Sequence, residues 1–355
     1  MSVRTPRKES PRNQKTHPFL YFGLLALLAA AIPICSLLAK NDRQQFTESL
    51  HESIAISNGF CYTLTNEGFA YSNGGGVTVC DPTPQTVLTG TFSAPVLKRG
   101  GDRLLLYDIG GTRFALLGAD GSVLVDREAA QPLLNAALAP DGRFLILRRD
   151  DERLTALEVY DASGELLYRR TSGSSTLYCG ALSQDLLAAA ALAADCSENA
   201  IRLISPSDGA VVSEISLGEQ TVLGLTFTEA DRLCAVCTEE LLFWDTDGSR
   251  LAAFPAPKDY SFGSTGSVIA LYDDVLMRIA PDGTVLAETP VSATARTVDS
   301  CGDYTVIAAD DGLRLFDGKL REVAALSRSG LQYACVRENG SVIGFTDTSA
   351  EFFDP

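Results

Sequence analysis

RLCAVCTEELLFWDTDGSRLAAFPA, residues 232–256, is the stretch whose reading decides the architecture. It divides into an apolar run, a second run Leu241-Leu242-Phe243-Trp244, the turn Asp245-Thr246-Asp247-Gly248, and a third run from Arg250. Asp-Gly between two apolar runs is a strong hairpin signal, because glycine accepts the positive φ that a tight turn demands. The stretch therefore predicts strand, strand, tight turn, strand.

Variants of the phrase recur along the chain. Their turn glycines are Gly121 (ADGSVL), Gly164 (ASGELL), Gly209 (SDGAVV), Gly248 (TDGSRL), Gly283 (PDGTVL) and Gly318 (DGKLREV), at steps of 43, 45, 39, 35 and 35 residues. A four-stranded propeller blade takes ~40 residues. Between turns the apolar residues alternate with period two, as in DRLLLYD, RFLILRR and DYTVIAAD, and no segment of useful length after residue 50 has a helical period. Units begin near Phe60, Pro95, Leu133, Thr176, Val222, Tyr260, Ala295 and Leu331. A sandwich would use ~100 residues without repeating its turn, and a β-helix would repeat in ~20 or fewer. The expected fold is all-β, a β-propeller.

The two ends of the repeat region do not match. Residues 53–94 hold five strand-like runs, one more than a blade needs, while the last unit ends at Pro355 after three. If Ile54-Ala55-Ile56 supplies the missing outer strand of the final unit, the ring has eight blades. Seven, with a distorted first unit, is the alternative.

Ahead of the repeats, residues 1–18 form a basic tail with Arg4, Arg7, Lys8, Arg12 and Lys15 against Glu9. Phe19–Ala39 (FLYFGLLALLAAAIPICSLLA) then runs 21 residues without a charge. A helix of that length spans roughly 30 Å, the hydrocarbon thickness of a bilayer. Basic residues on its N-terminal side predict a cytoplasmic N-terminus and an extracytoplasmic remainder. The expected organisation is a tail (1–18), a transmembrane helix (19–39), a linker (40–52) and a propeller (53–355). Ala29-Ala30-Ala31 leaves open a cleaved signal peptide, whereas Ile32-Pro33-Ile34 argues against lipidation at Cys35.

The whole chain carries 29 Lys+Arg and 45 Asp+Glu, a net charge of −16; beyond residue 40 the balance is 23 against 44, near −21. Such a domain repels nucleic acid and anionic head groups, and it suits solubility or basic partners.

The basic tail, the apolar run and phrases such as GVTVCD (76–81), LFWDTDGSRL (242–251) and MRIAPDGTVL (277–286) together resemble a family of membrane-anchored β-propeller proteins of Gram-positive bacteria, a domain of unknown function. The turns are also similar to WD40-like and quinoprotein-like repeats. The resemblance implies a propeller, an anchor and an extracytoplasmic location; it brings no catalytic residues.

Few residues suggest chemistry. The two histidines, His17 and His51, precede the repeats, which excludes histidine-based triads and histidine-ligated metals from the propeller. Eight of the nine cysteines follow the apolar run: Cys61, Cys80, Cys179, Cys196, Cys234, Cys237, Cys301 and Cys335. Cys234-Ala-Val-Cys237 has redox or zinc spacing, but on a strand i and i+3 point to opposite faces, so a structural role is expected. The acidic turns Asp245-Thr246-Asp247-Gly248, Asp310-Asp311-Gly312 and Asp150-Asp151 lack the six to eight oxygens of a calcium loop and read as hairpin turns. The acceptor-like Asn339-Gly340-Ser341 is given no weight. A single tryptophan, Trp244, argues against quinone-dependent dehydrogenases and reads as core, alternating with Leu242. No catalytic, cofactor or metal residue is assigned. The expected function is a binding or scaffold module for another envelope protein or a cell-wall glycan, without nucleic acid. The rival is a glycan hydrolase or lyase working through two carboxylates across the propeller channel.

Overall fold

Strand direction alternates within each repeat, so each folds back on itself as an antiparallel sheet; six of the sheets have four strands, and the last two have five because short strands ahead of Cys61 join them. The computed structural model describes residues 44–48, 54–56, 61–65, 68–81, 83–150, 154–173, 175–183, 185–193, 196–228, 231–263 and 266–355. The tail, the apolar run at 19–39 and both histidines lie outside the described residues. Eight sheets follow one another, with first strands starting at Cys61, Pro95, Leu133, Ser175, Val222, Asp259, Ala295 and Tyr333. We number these blades 1 to 8. The architecture is an eight-bladed β-propeller, with unit starts within two residues of those read from the sequence.

The second strand of each blade explains why simple alternation breaks down there. In blade 2, Leu104 and Leu106 pack with blade 1, while Leu105 and Tyr107 pack with blade 3. Blade 3 repeats the arrangement, with Phe144 and Ile146 toward blade 2 and Leu145 and Leu147 toward blade 4. A strand covered on both faces reads as a continuous apolar run, as LLLY and FLIL do. Among the described residues, eight apolar clusters fill the eight junctions between neighbouring blades.

The fourth strands end the sheets at the rim, and in blades 2 to 6 the turn leading into the fourth strand is pressed onto the preceding blade. In blade 3 the turn closes through the Gly164 N–H, which donates to Asp161 O at 3.0 Å. Gly164 has φ +84°, and a Cβ there would lie 2.6 Å from Val125 Cγ2 on the fourth strand of blade 2. Arg127 of that same strand donates to Gly164 O at 2.6 Å. Glycine is thus required twice, by conformation and by close approach. Blade 7 departs from the sequence reading. Its turn closes through Leu320 N to Asp317 O at 2.8 Å, as Gly248 N does to Asp245 O at 2.9 Å in blade 5. Leu320, with φ +54°, therefore takes the glycine position, and Gly318 lies two residues earlier than expected. Leu320 is buried in the junction of blades 6 and 7, where apolar packing offsets a left-handed backbone costing about 1–2 kcal/mol.

Ring closure follows the strand count. Ile54–Ala55 pairs antiparallel with the third strand of blade 8, Ile54 opposite Ala350 and Ala55 opposite Ser349. Thr47–Glu48 pairs further along the same strand, opposite Asp354 and Phe353, so the closing segment also draws on residues before 53. Phe46 packs into the junction of blades 7 and 8, its ring 6.2 Å from that of Phe353 and edge-on to it. Ile54 and Ile56 pack into the junction of blades 8 and 1. One segment thereby grips both sides of the last blade.

Phe46→Ala should cost about 3–5 kcal/mol in urea unfolding. Ile56→Pro, which removes the N–H donating to Thr348 O at 2.9 Å, should lower the melting temperature of the whole propeller; an unchanged transition in both variants refutes closure by this segment. Gly164→Ala should lower the urea midpoint by the equivalent of about 1–3 kcal/mol, whereas an unshifted midpoint would show that the turn can move off blade 2.

Candidate functional site

The first strands of successive blades lie side by side around the axis and so line a central channel. Their polar side chains keep partial solvent contact: Lys98, Tyr178, Asp259, Tyr260, Ser261, Asp299 and Tyr333 are all half-buried. Bulges re-aim residues at the start of four of these strands, displacing Leu134, Tyr178, Leu223 and Arg296 from the ladder. Leu223 is 59% exposed as a result.

Blades 6, 7 and 8 are tied together along this wall by two aspartates. Asp259 of blade 6 accepts a hydrogen bond from Val298 N on blade 7 at 2.8 Å. Asp299 of blade 7 accepts one from Val336 N on blade 8 at 3.0 Å, and its other oxygen accepts from the Ser261 hydroxyl at 3.3 Å. Ser261 Oγ in turn accepts from Ser300 N at 3.1 Å. Desolvation raises both carboxyls above the ordinary range. Asp299 rises from 3.8 to about 6, with the nearby Asp259 charge adding to burial while the backbone and Ser261 bonds oppose it.

On blade 2, Lys98 extends over the Tyr107 ring, 5.9 Å from its centre. Desolvation lowers its amine below the usual lysine range.

The residues singled out from sequence sit elsewhere. Cys234 packs in the junction of blades 5 and 6 and Cys237 in that of blades 4 and 5, on opposite sides of their strand. Burial raises both thiols, Cys237 to about 12. Trp244 is 3% exposed and shares the blade 4–5 junction with Leu242. The Asp247 side chain accepts from Ser249 N at 2.8 Å, an Asx turn repeated at Asp120, Asp161, Asp208, Asp282 and Asp317. The hydrogen bonds of these turns hold Asp120, Asp161, Asp208, Asp247 and Asp282 below the usual carboxylate range. Asp310 pairs with Arg296, Asp311 with Arg314 at 2.6 Å, and Asp150 with Arg148 and Arg169 at 3.1 and 2.8 Å. Asn339 caps its own turn through Ser341 N at 3.0 Å. Among the described residues no group of histidine, cysteine or acidic side chains has the arrangement of a metal site. Sequence reasoning did not find Lys98, Asp259 or Asp299. The available signal was a charge inside a strand-like run, as in ARTVDSC for Asp299.

The fold defines the class, an eight-bladed β-propeller. No family model matches the chain, and no curated protein matches it in sequence. Among solved structures it is similar to BamB from Moraxella catarrhalis, at 15% identity and TM-score 0.57, covering 87% of this chain and 100% of that one. Sqt1 from Saccharomyces cerevisiae shows 10% identity and TM-score 0.59, with 88% and 99% covered. Apo AztD from Citrobacter koseri shows 14% and 0.52, with 75% and 85% covered. At these identities the likeness is one of fold.

The Asp299 carboxyl carries a prediction with a definite sign. Its folded value exceeds the unfolded one, so between about pH 4 and 6 the native state binds more protons than the unfolded chain. Its contribution to stability is therefore fully present below that window and lost as pH rises through it. Asp299→Asn keeps an acceptor for Val336 N and removes the titration. Relative to wild type, the variant should gain about 1–3 kcal/mol at pH 7.5 and lose this part of the slope; parallel stability–pH curves refute the assignment.

Proposed function

We propose that the protein is a non-enzymatic binding propeller of the cell envelope, anchored by residues 19–39 and facing the extracytoplasmic side. It docks a partner protein that presents a basic surface. The observation carrying this reading is the row of Asx turns. First-to-second and third-to-fourth turns emerge on the same face of a propeller whose strands alternate. That face therefore gathers Asp120, Asp141, Asp161, Asp208, Asp247, Asp282 and Asp317, each held in place by bonds to its own turn. Short loops fixed in this way need little ordering on binding, and their charge steers a basic partner. The −21 balance beyond residue 40 and the basic tail before the apolar run support the location.

One observation favours the carboxylate hydrolase or lyase. Asp259 and Asp299 both have raised carboxyls, as a general acid requires. Both, however, commit one oxygen to a backbone N–H of the next blade, which gives them a structural task.

Asparagine caps an Asx turn as aspartate does, so Asp→Asn at 120, 161, 247 and 282 removes charge and leaves the turns formed. Cross-linking the full chain in native membranes should capture one dominant protein partner, salt-sensitive and lost in the fourfold variant. Equal capture by both forms refutes docking through this face, and retention on wall glycan alone moves the ligand to polysaccharide. Turnover of wall polysaccharide abolished by Asp259→Asn replaces the binding reading with the enzymatic one. A reporter fused after Pro355 and found in the cytoplasm overturns the orientation.

A further inference from the structure

The outermost strand of a blade has a free edge at the rim, and unpaired N–H and C=O groups there are a template for another chain. Prolines, charges and added strands are the usual guards against that pairing. Blades 7 and 8 are covered by the short strands ahead of Cys61. In blade 1 the strand Thr83–Thr89 contains Pro84, and in blades 5 and 6 the strands Arg250–Pro255 and Val285–Pro290 end in a residue without an N–H. Blade 2 closes its strand with Asp126-Arg127-Glu128, and blade 3 carries Arg169-Arg170. The remaining edge, Val211–Gly218 of blade 4, is the longest of the fourth strands at eight residues, has no proline and bears one charge, Glu214. Among the described residues, no strand pairs with its outer side.

Blade 7 shows what such an edge accepts. A bulge in its fourth strand sets Val323 out of the ladder, and Val323 packs against the cluster that holds Phe46 of the closing segment. The same bulge in blade 4 sets out Val212, which is 59% exposed. Val212 therefore occupies the place of Val323 without an aromatic residue over it. Bulge residues are exposed in blades 2, 3, 5 and 6 as well, so the unguarded backbone beside Val212 is what singles out blade 4. From Ser213 to Ser216 that strand keeps unbroken register with Leu203 to Ala200, so its outer side presents regular backbone.

Charge selects the occupant. Asp208 precedes the strand, Glu214 lies in it, Glu198 accepts from the Ser216 hydroxyl and Glu219 follows. Against these four stand Arg202, paired with Glu214 at 2.7 Å, and Arg170, bonded to Gly209 O. A second copy would bring these carboxylates up against their own counterparts, with a net charge near −21 on each domain. A basic strand gains from the same field. We propose that the outer edge of blade 4 is a strand-addition site, which takes an extended lysine- or arginine-bearing segment of the partner protein and seats one of its apolar side chains on Val212. Backbone pairing holds such a segment and alternate side chains select it. The inference rests on the reading that the partner is basic, and it names how that partner is held.

The probe is a synthetic peptide alternating lysine with valine around a central phenylalanine. Its controls carry proline in place of every valine, or glutamate in place of every lysine. Added to the full chain in detergent, the lysine peptide should slow deuterium exchange of the Val211–Gly218 amides saturably, by about tenfold, and leave the outer strands of blades 5 and 6 unchanged. Val212→Ser, with an unchanged melting temperature, should weaken the peptide about tenfold, the worth of one buried aliphatic side chain. Unchanged exchange at 211–218, the same slowing at every outer strand, or full affinity in Val212→Ser overturns the site. Equal slowing by the proline peptide overturns backbone pairing, and equal slowing by the glutamate peptide overturns a basic occupant. Protection that grows with protein concentration in the absence of peptide assigns the edge to a second copy instead. The Asp→Asn variant at 120, 161, 247 and 282 leaves this edge intact and should bind the peptide as wild type does. Partner capture lost in that variant but retained in Val212→Lys keeps docking on the acidic face and overturns strand addition. Capture retained in the fourfold variant and lost in Val212→Lys removes the acidic face and leaves the edge.

Discussion

The close approach of the rim turns of blades 2 to 6 to the blade before them sets the dimensions of this propeller. A turn pressed onto its neighbour's outer strand fixes the spacing between blades. The turn glycines at 121, 164, 209, 248 and 283 all leave too little room for a side chain against that strand. With the spacing held, the apolar faces of the second strands meet at every junction and the ring closes without a gap. The arginines that reach from one blade to a turn carbonyl of the next, such as Arg127 to Gly164 and Arg278 to Gly318, fasten the same contact through hydrogen bonds.

What could be read from the sequence was what depends on neighbours along the chain. Alternating apolar residues, Asp-Gly turns and their steps report local geometry, so the units starting near Pro95, Leu133 and Val222 were recognisable as written. The surplus run at Ile54 and the three-stranded last unit are also countable, and together they pointed to the closing strand. The position of the blade 7 turn was not legible. Asp317-Gly318 looks like its counterparts, but the backbone bond from Leu320 to Asp317 settles which residue takes the left-handed conformation.

The channel groups were hidden for a different reason. Lys98, Cys179, Tyr260 and Asp299 come from four blades and share no spacing. Their placement depends on strand register, on bulges such as that between Leu177 and Cys179, and, for Tyr260, on the absence of a side chain at Gly224. None of these leaves a motif. The Cys-x-x-Cys pair is the opposite case: its spacing invites a chemical reading, and one rule of strand geometry sends the two thiols into different junctions. A motif of suggestive spacing can thus be divided between two junctions once it lies on a strand.

The segment that grips both sides of blade 8 has a mechanical consequence. Force applied to the chain ahead of this segment reaches the propeller first through Gln44–Gln45, which joins the outer strand of blade 7, then through Phe46 between blades 7 and 8, and then through Thr47–Glu48 and Ile54–Ile56 on blade 8. The junctions among blades 2 to 6 lie outside this line of load. A pull would peel the seam a few residues at a time before straining the other sheets, and the seam would re-form from its own partner strand once the load was removed. The weakest point under tension is thereby confined to the seam of blades 7 and 8.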